Sequence, residues 1–166
     1  MIVIGIDPGT RATGYGVVAK GDGAVSLLEC GVIRTDASDR LEHRLRTIYD
    51  GLQEVFERNP ADVVAVERVF HGKNAHTSLI LGHARGAVLL AATLKDLPVE
   101  EYSAAEVKNA ITGTGRATKE QVQFMVQRLL RLKTPPTPSD AADGVAVALC
   151  HCSAHALTSR LEGRTG

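Results

Sequence analysis

The sequence predicts an α/β fold, a mixed five-stranded sheet flanked by helices. Three observations carry this. Ile2–Ile6 is a short, β-branched apolar run of the kind that strands buried on both faces show. Gly14–Ala19 and Ala24–Thr35 follow it closely, with the turn signal Gly21-Asp-Gly23 between them, so the first three strands form an antiparallel meander. After Thr35 the pattern alternates between helix-spaced and strand-like segments, which predicts βαβ units and parallel pairing of the first, fourth and fifth strands.

Each element has its own signal. Pro8-Gly9 turns the chain out of the first strand, with proline presetting φ and glycine tolerating positive φ. The third strand is expected to bend at Gly31. Ser38 or Asp39 can cap a helix carrying Leu41, Leu45, Ile48, Leu52 and Val55, which Asn59-Pro60 ends. Asp62–Glu67 is the fourth strand. The stretch from Asn74 to Lys95 predicts a long helix, apolar over much of its girth through Leu79, Leu81, Val88, Leu89, Leu90 and Leu94, and therefore well buried. Gly82 and Gly86 lie one turn apart in it, each costing about 1 kcal/mol relative to alanine. Such a pair implies close packing against that side, by the sheet or by a second subunit. Leu97–Tyr102 is the fifth strand, and Ser103 begins a short helix carrying Lys108. Thr118-Lys-Glu-Gln121 matches a capping box ahead of Val122, Met125, Val126 and Leu129. Thr134–Pro138 is a stiff connector, and Ser139 caps a last helix running to about His155. The 166 residues read as one domain over 1–157 with a short tail over 158–166.

Composition excludes several classes. With 44% hydrophobic and 23% charged residues the chain is an ordinary globular protein rather than a disordered one. No segment reads as a signal peptide or membrane span. Three cysteines, Cys30, Cys150 and Cys152, form no disulfide framework and fit a reducing cytoplasm. Formal net charge is zero, yet Lys108, Arg116, Lys119, Arg128, Arg131 and Lys133 cluster in sequence against the single acid Glu120. A neutral chain can therefore still present a basic face.

The chemistry lies in acids at element ends. Asp7 and Glu67 terminate strands expected to be neighbours, and Asp140 and Asp143 share a face at the start of the last helix. Singly, Asp7 reads equally as a turn cap, and Asp140 and Asp143 as acids favoured by the positive end of a helix dipole. Together they form a set that like-charge repulsion disfavours without cations. Oxygen donors of this kind suit Mg²⁺ or Mn²⁺. Two such ions roughly 4 Å apart are the machinery of in-line phosphodiester hydrolysis. Lys119 sits in the first turn of a capped helix, where a cation opposes the macrodipole unless anions lie nearby. Phe70, in the polar loop after Glu67, reads either as a core residue or as a ring that stacks on bases. Gly113-x-Gly115-x-x-x-Lys119 lacks the spacing of a phosphate-binding P-loop. Cys150-His-Cys152 with His155 is set aside as a zinc site, because the two cysteines point to different sides of a helix.

With these residues in place, nearly the whole chain resembles the RuvC family of Holliday-junction resolvases. The likeness runs through Gly5-Ile-Asp-Pro-Gly-Thr-Arg11 with Thr13-Gly-Tyr-Gly16, then Glu67, Val69-Phe70 and Lys73-Asn74. It continues through Gly82-x-Ala84-Arg-Gly86, Tyr102, Val107-Lys108, Lys119, Gln121-Val122 and Asp140-Ala-Ala-Asp143. The resemblance implies a ribonuclease-H-like fold, a homodimer, and cleavage of four-way junction DNA by paired nicks in recombination and repair, and the glycine spacing places the dimer contact on the helix from Asn74 to Lys95, at Gly82 and Gly86. It further implies two metal ions, Mg²⁺ or Mn²⁺, held by Asp7, Glu67, Asp140 and Asp143, with Lys108 and Lys119 near the scissile phosphate. Phe70 would probe the junction, and Lys73, Asn74, Arg11 and Arg116 would contact DNA. A branch-migration motor complex as partner and a bacterial, nucleoid-associated cytoplasmic location are implied as well. Arg68 and Glu100 depart from the family pattern, and Arg68 could alter metal affinity or sequence preference. Three alternatives stand beside this reading: a related nuclease acting on ribosomal RNA precursors, a sugar-kinase or actin-like ATPase, and a non-catalytic junction-binding module. The ATPase would need a second domain for which the chain has no room.

Overall fold

The computed structural model describes residues 1–21, 23–68 and 74–162, with side chains to residue 156. Ten elements follow one another: β1 (Ile2–Asp7), β2 (Ala12–Lys20), β3 (Val25–Arg34), α1 (Leu41–Arg58), β4 (Val63–Glu67), α2 (Ala75–Thr93), β5 (Val99–Tyr102), α3 (Ala104–Thr112), α4 (Lys119–Leu129) and α5 (Ser139–Glu162). The strands form one sheet in the order β3-β2-β1-β4-β5. β1 to β3 pair antiparallel, whereas β4 pairs parallel with both β1 and β5. The expected meander and parallel half are therefore both present. Ile6 lies opposite Val66, so Asp7 and Glu67 stand side by side where their strands end.

Alternation along the central strands splits the core in two. Ile4, Ile6, Tyr15, Val17, Val64 and Val66 face α1 and α2. Val3, Val18, Val63 and Ala65 face the other way, toward α3, α4 and α5. The acids at the ends of β1 and β4 emerge on this second side, above α5.

Four sequence expectations are corrected. The irregularity in β3 falls beside Leu28, where the register with β2 shifts between Val17 and Val18, and not at Gly31. Gly31 is small for a different reason: a Cβ there would lie 2.7 Å from the Tyr15 hydroxyl. The residue before α1 is Arg40, which provides no side-chain cap; Asp36 instead accepts from the Ser38 amide and hydroxyl in the preceding turn. The last helix continues to Glu162, past the expected end near His155. Finally, α2 is not well buried. Ala84, Val88, Ala91 and Ala92 meet the core, but Leu79, Leu90 and Leu94 are 63%, 55% and 59% exposed. Its apolar girth exceeds what one side of a sheet can cover.

The expected capping box of Thr118 with Gln121 is present on α4, and Ser103 with Glu106 forms a second one at the start of α3. Gly113 ends α3 in the left-handed conformation (φ 78°), so it belongs to a helix terminus and not to a phosphate loop. The end of α1 is tied to the sheet through Glu29, which accepts from Tyr15, Arg58 and Asn59 at 2.8–2.9 Å. Those donors hold the Glu29 carboxyl down at about 2.

Candidate active site

Three backbone-level contacts assemble the site. Gly14 lies opposite Asp7 across the β1–β2 pair. A side chain on Gly14 would run into the Asp140 carbonyl oxygen, and one on Gly144 would lie 2.5 Å from the Tyr15 Cα. The start of α5 therefore rests directly on the β1–β2 backbone, which brings its acids beside Asp7. Sequence reasoning missed this role of the glycines. The signal was available: Gly14 and Gly16 recur at period two on one strand face, the mark of a close backbone approach.

Asp7, Glu67, Ala104, Val107, Lys108, Lys119, Val122, Asp143 and Ala146 line a cleft of about 270 Å³ at the carboxyl end of the parallel strands. That edge is where open α/β sheets place their ligands. Lys119 Nζ donates to Asp143 Oδ2 at 2.6 Å. Asp140, one helical turn before Asp143, is not a lining residue, yet its charge acts on Asp7, Lys119 and Asp143.

Burial raises the Asp7 pKa from its ordinary 3.8 to about 7, reinforced by the charges of Glu67, Asp143 and Asp140 and opposed by Lys119. Glu67 is raised too, by burial first and then Asp143, with Lys108 and Lys119 opposing. Asp143 is raised by burial and lowered by its bond to Lys119. That bond in turn raises the Lys119 ammonium. The cleft is thus a desolvated anionic site, in which Lys119 supplies part of the missing positive charge.

As donors, these residues fit a hard divalent cation: all are carboxylate oxygens, and all three lining acids are penalised by burial when charged. Among the described residues no three His, Cys, Asp or Glu side chains are drawn together around one point as a metal ion would hold them.

The remaining sequence-predicted residues lie around this cleft or away from it. Arg11 and Arg116 are exposed, on the β1–β2 connection and just before α4. Asn74 caps α2, its side-chain oxygen accepting from the His76 and Thr77 amides. Phe70 and Lys73 lie outside the described residues. Gly82 and Gly86 face outward from α2, with nothing among the described residues within 4 Å of where a Cβ would stand, so the sheet is not what they accommodate. Arg68 is directed away from the acids: its Nη2 donates to the Glu101 carbonyl at 3.0 Å and reaches Glu106 at 3.4 Å. Glu100 is exposed on the edge strand. Cys30, Cys150 and Cys152 are free thiols.

A five-stranded mixed sheet of this order, with an acid-lined cleft roofed by the final helix, defines the ribonuclease-H-like class of nucleases. The family described as Crossover junction endodeoxyribonuclease RuvC matches residues 3–151. A protein of that name from Shewanella amazonensis is 51% identical over 98% of this chain and 93% of its own length. The structure of T. thermophilus RuvC in complex with Holliday junction substrate is 38% identical, with a TM-score of 0.89 over 95% of this chain and 96% of that one. The yeast mitochondrial Holliday junction resolvase Ydc2, at 12% identity and a TM-score of 0.66 over 91% of this chain and 77% of that one, shares the fold. The chain belongs to the RuvC family and is a crossover junction endodeoxyribonuclease. Membership implies dependence on a divalent metal. No helix among the described residues is long and apolar enough to cross a membrane.

Proposed function

We propose that the chain resolves four-way DNA junctions by paired, symmetric nicks, with Asp7, Glu67, Asp140 and Asp143 holding two divalent ions, Mg²⁺ or Mn²⁺. The observation that carries this is the cleft itself: acids from two parallel strands and one helix meet beside two lysines, with Asp7 held near 7 by burial and like charge. Metal ions bound there would supply an activated water and stabilise the leaving oxygen of an in-line displacement. Asp7 and Glu67, fixed at strand ends, orient the donor set, while Asp140 and Asp143 close it from α5. Once other charge neutralises Asp143, Lys119 is free to meet the charge that develops on the phosphate, and Lys108 faces the same space. Arg11 and Arg116, both exposed, suit backbone phosphates, which fix position without reading sequence. The roles of Phe70, Lys73 and Asn74 at the junction rest on the family resemblance.

Symmetric cutting needs two active sites at a fixed separation, which a two-fold homodimer provides. The outer side of α2 supports this assembly: Gly82 and Gly86 are open to close approach, and Leu79 and Leu90 beside them are uncovered. A branch-migration motor complex as partner and a nucleoid-associated place in the bacterial cytoplasm follow from the family, and the free thiols accord with a reducing compartment. Residues 1–157 act as the nuclease domain, with 158–166 as its tail.

The test is incubation with a synthetic four-way junction with a homologous core, with and without Mg²⁺ or Mn²⁺. Metal-dependent nicks at symmetric positions in opposing strands are expected. Binding without cleavage, or trimming of RNA instead, would overturn the reading.

A further inference from the structure

The loop leading from Asp7 to β2 is tied down at three successive carbonyls. Gly9 O accepts from the Thr13 hydroxyl at 2.7 Å. Arg11 O accepts from the Thr35 amide at 3.1 Å. Between them, Thr10 O accepts from Arg44 Nη2 at 2.6 Å, from Arg44 Nε at 3.1 Å and from the Thr35 hydroxyl. Arg44 Nε also reaches Thr35 Oγ1 at 3.3 Å. Thr10 is buried, so this carbonyl has little access to water in place of these donors.

The tie from Arg44 is the unusual one. It crosses to the loop from α1, and Arg44 is a partly buried residue. Among the described residues Arg44 makes no ion pair; two of its nitrogens are directed at neutral oxygens. Holding an arginine in one geometry on neutral oxygens, with no carboxylate partner, costs side-chain entropy, and anchoring α1 does not require it. Ile48, Leu52, Val55 and Phe56 already bury that helix against the sheet. What the arrangement does provide is a planar fork closing on one carbonyl three residues after Asp7, which a single-point ammonium cannot reproduce. Between the two, Pro8 has little torsional freedom, so fixing Thr10 also limits how the Asp7 end of β1 can turn.

We propose that Arg44 is a positioning residue for cleavage: with Thr35 it clamps the Thr10 carbonyl and thereby fixes the loop that aims the Asp7 carboxylate into the cleft. This rests on the reading of Asp7 as a metal ligand. The rival role for an arginine in this protein is a phosphate contact, and the two roles separate experimentally.

Wild type, Arg44→Gln, Arg44→Lys and Thr35→Val are compared by three measurements. These are nicking of a synthetic four-way junction across a Mn²⁺ titration, junction affinity without metal as a function of salt, and the thermal midpoint. For Arg44→Gln the rate at saturating Mn²⁺ should fall roughly ten- to a hundredfold, as a misaimed reacting group predicts, and half-saturation should need more Mn²⁺. Junction affinity should stay within about twofold, with the same salt slope, because no phosphate contact is lost. Arg44→Lys should fall between Arg44→Gln and wild type, and Thr35→Val should show a smaller loss of the same kind. An affinity loss matching the rate loss, with the salt slope reduced by about one, makes Arg44 a phosphate contact and overturns the proposal. Wild-type Mn²⁺ dependence in a slowed or less stable variant overturns it too. Should Arg44→Gln fail to fold, Arg44→Lys and Thr35→Val decide by the same criteria. A wild-type chain that nicks nothing would overturn both this inference and the functional reading beneath it.

Discussion

On one side of the sheet, α5 lies so close to β1 and β2 that glycine takes the place of side chains, with Gly14 under Asp140 and Gly144 against Tyr15. On the other side, α2 meets the sheet through Ala84, Val88, Ala91 and Ala92 and leaves Leu79, Gly82, Gly86 and Leu90 uncovered. Both helices carry glycine, but among the described residues only Gly144 of α5 is packed against its own chain, whereas Gly82 and Gly86 of α2 are not. The difference teaches how each region serves catalysis. A site that holds several carboxylates against their mutual repulsion needs its elements locked at the level of the backbone. A surface that is to serve the proposed contact with a second copy of the chain needs instead small residues and apolar side chains left exposed, as Gly82, Gly86, Leu79 and Leu90 are.

The largest effect should come at the cleft. Asp7→Asn removes one carboxylate from the donor set, and a metal site can be worth several kcal/mol of transition-state stabilisation, so cleavage should fall by at least about a thousandfold. Junction binding, measured by gel shift without metal, should persist if, as proposed, basic groups rather than the acids hold the DNA. Parallel loss of binding in a folded variant would contradict this separation of roles.

Lys119→Ala comes next. Loss of a cation that meets developing charge should slow cleavage by roughly a hundredfold, while affinity changes only a few-fold. Single-turnover rates set against dissociation constants decide this, and equal losses would reduce Lys119 to an ordinary backbone contact.

The two kinds of glycine can be compared directly. Gly144→Ala puts a methyl group 2.5 Å from the Tyr15 Cα, where only backbone could yield, so urea unfolding should show a loss of about 3 kcal/mol. Gly86→Leu meets nothing among the described residues of its own chain. It should leave the monomer folded, and its helix should gain up to about 1 kcal/mol of intrinsic preference. Sedimentation should then show monomers that bind junctions weakly and nick without coordination. A Gly86→Leu protein that stays dimeric with paired cleavage would place the interface elsewhere.

The last test is pH dependence without metal, a gradual trend rather than a loss at one position. Asp7 titrates at about 7 in the folded chain against an ordinary 3.8. Between those values the folded state binds more protons than the unfolded one, so stability falls as pH rises from about 4 to about 7. Thermal midpoints in a chelator should decline across that window, and Asp7→Asn should decline less.

Much of this was legible in the chain. The strands could be read because a buried strand must be a short apolar run, and the cap at Thr118 because reciprocal capping needs particular residues at fixed spacing. The acids stood out because carboxylates at strand ends are costly without partners. Other features were not legible. Leu28 has nothing in its local sequence to mark a register shift, and Leu79 reads as core to any periodicity argument. Arg44 looked like one charge among several on an amphipathic helix, since its partner Thr10 lies 34 positions away in the chain.

The sequence by itself determined the order of strands and helices, the pairing directions, and which acids and lysines were available, because hydrophobic period, turn chemistry and residue type are local properties. The tertiary structure alone decided that α5 rests on bare backbone, that Lys119 neutralises Asp143, that Asp7 is raised to about 7, and that one side of α2 stays open. Each of these depends on distance and desolvation between residues far apart in the chain, quantities that exist only once the sheet and its helices have packed.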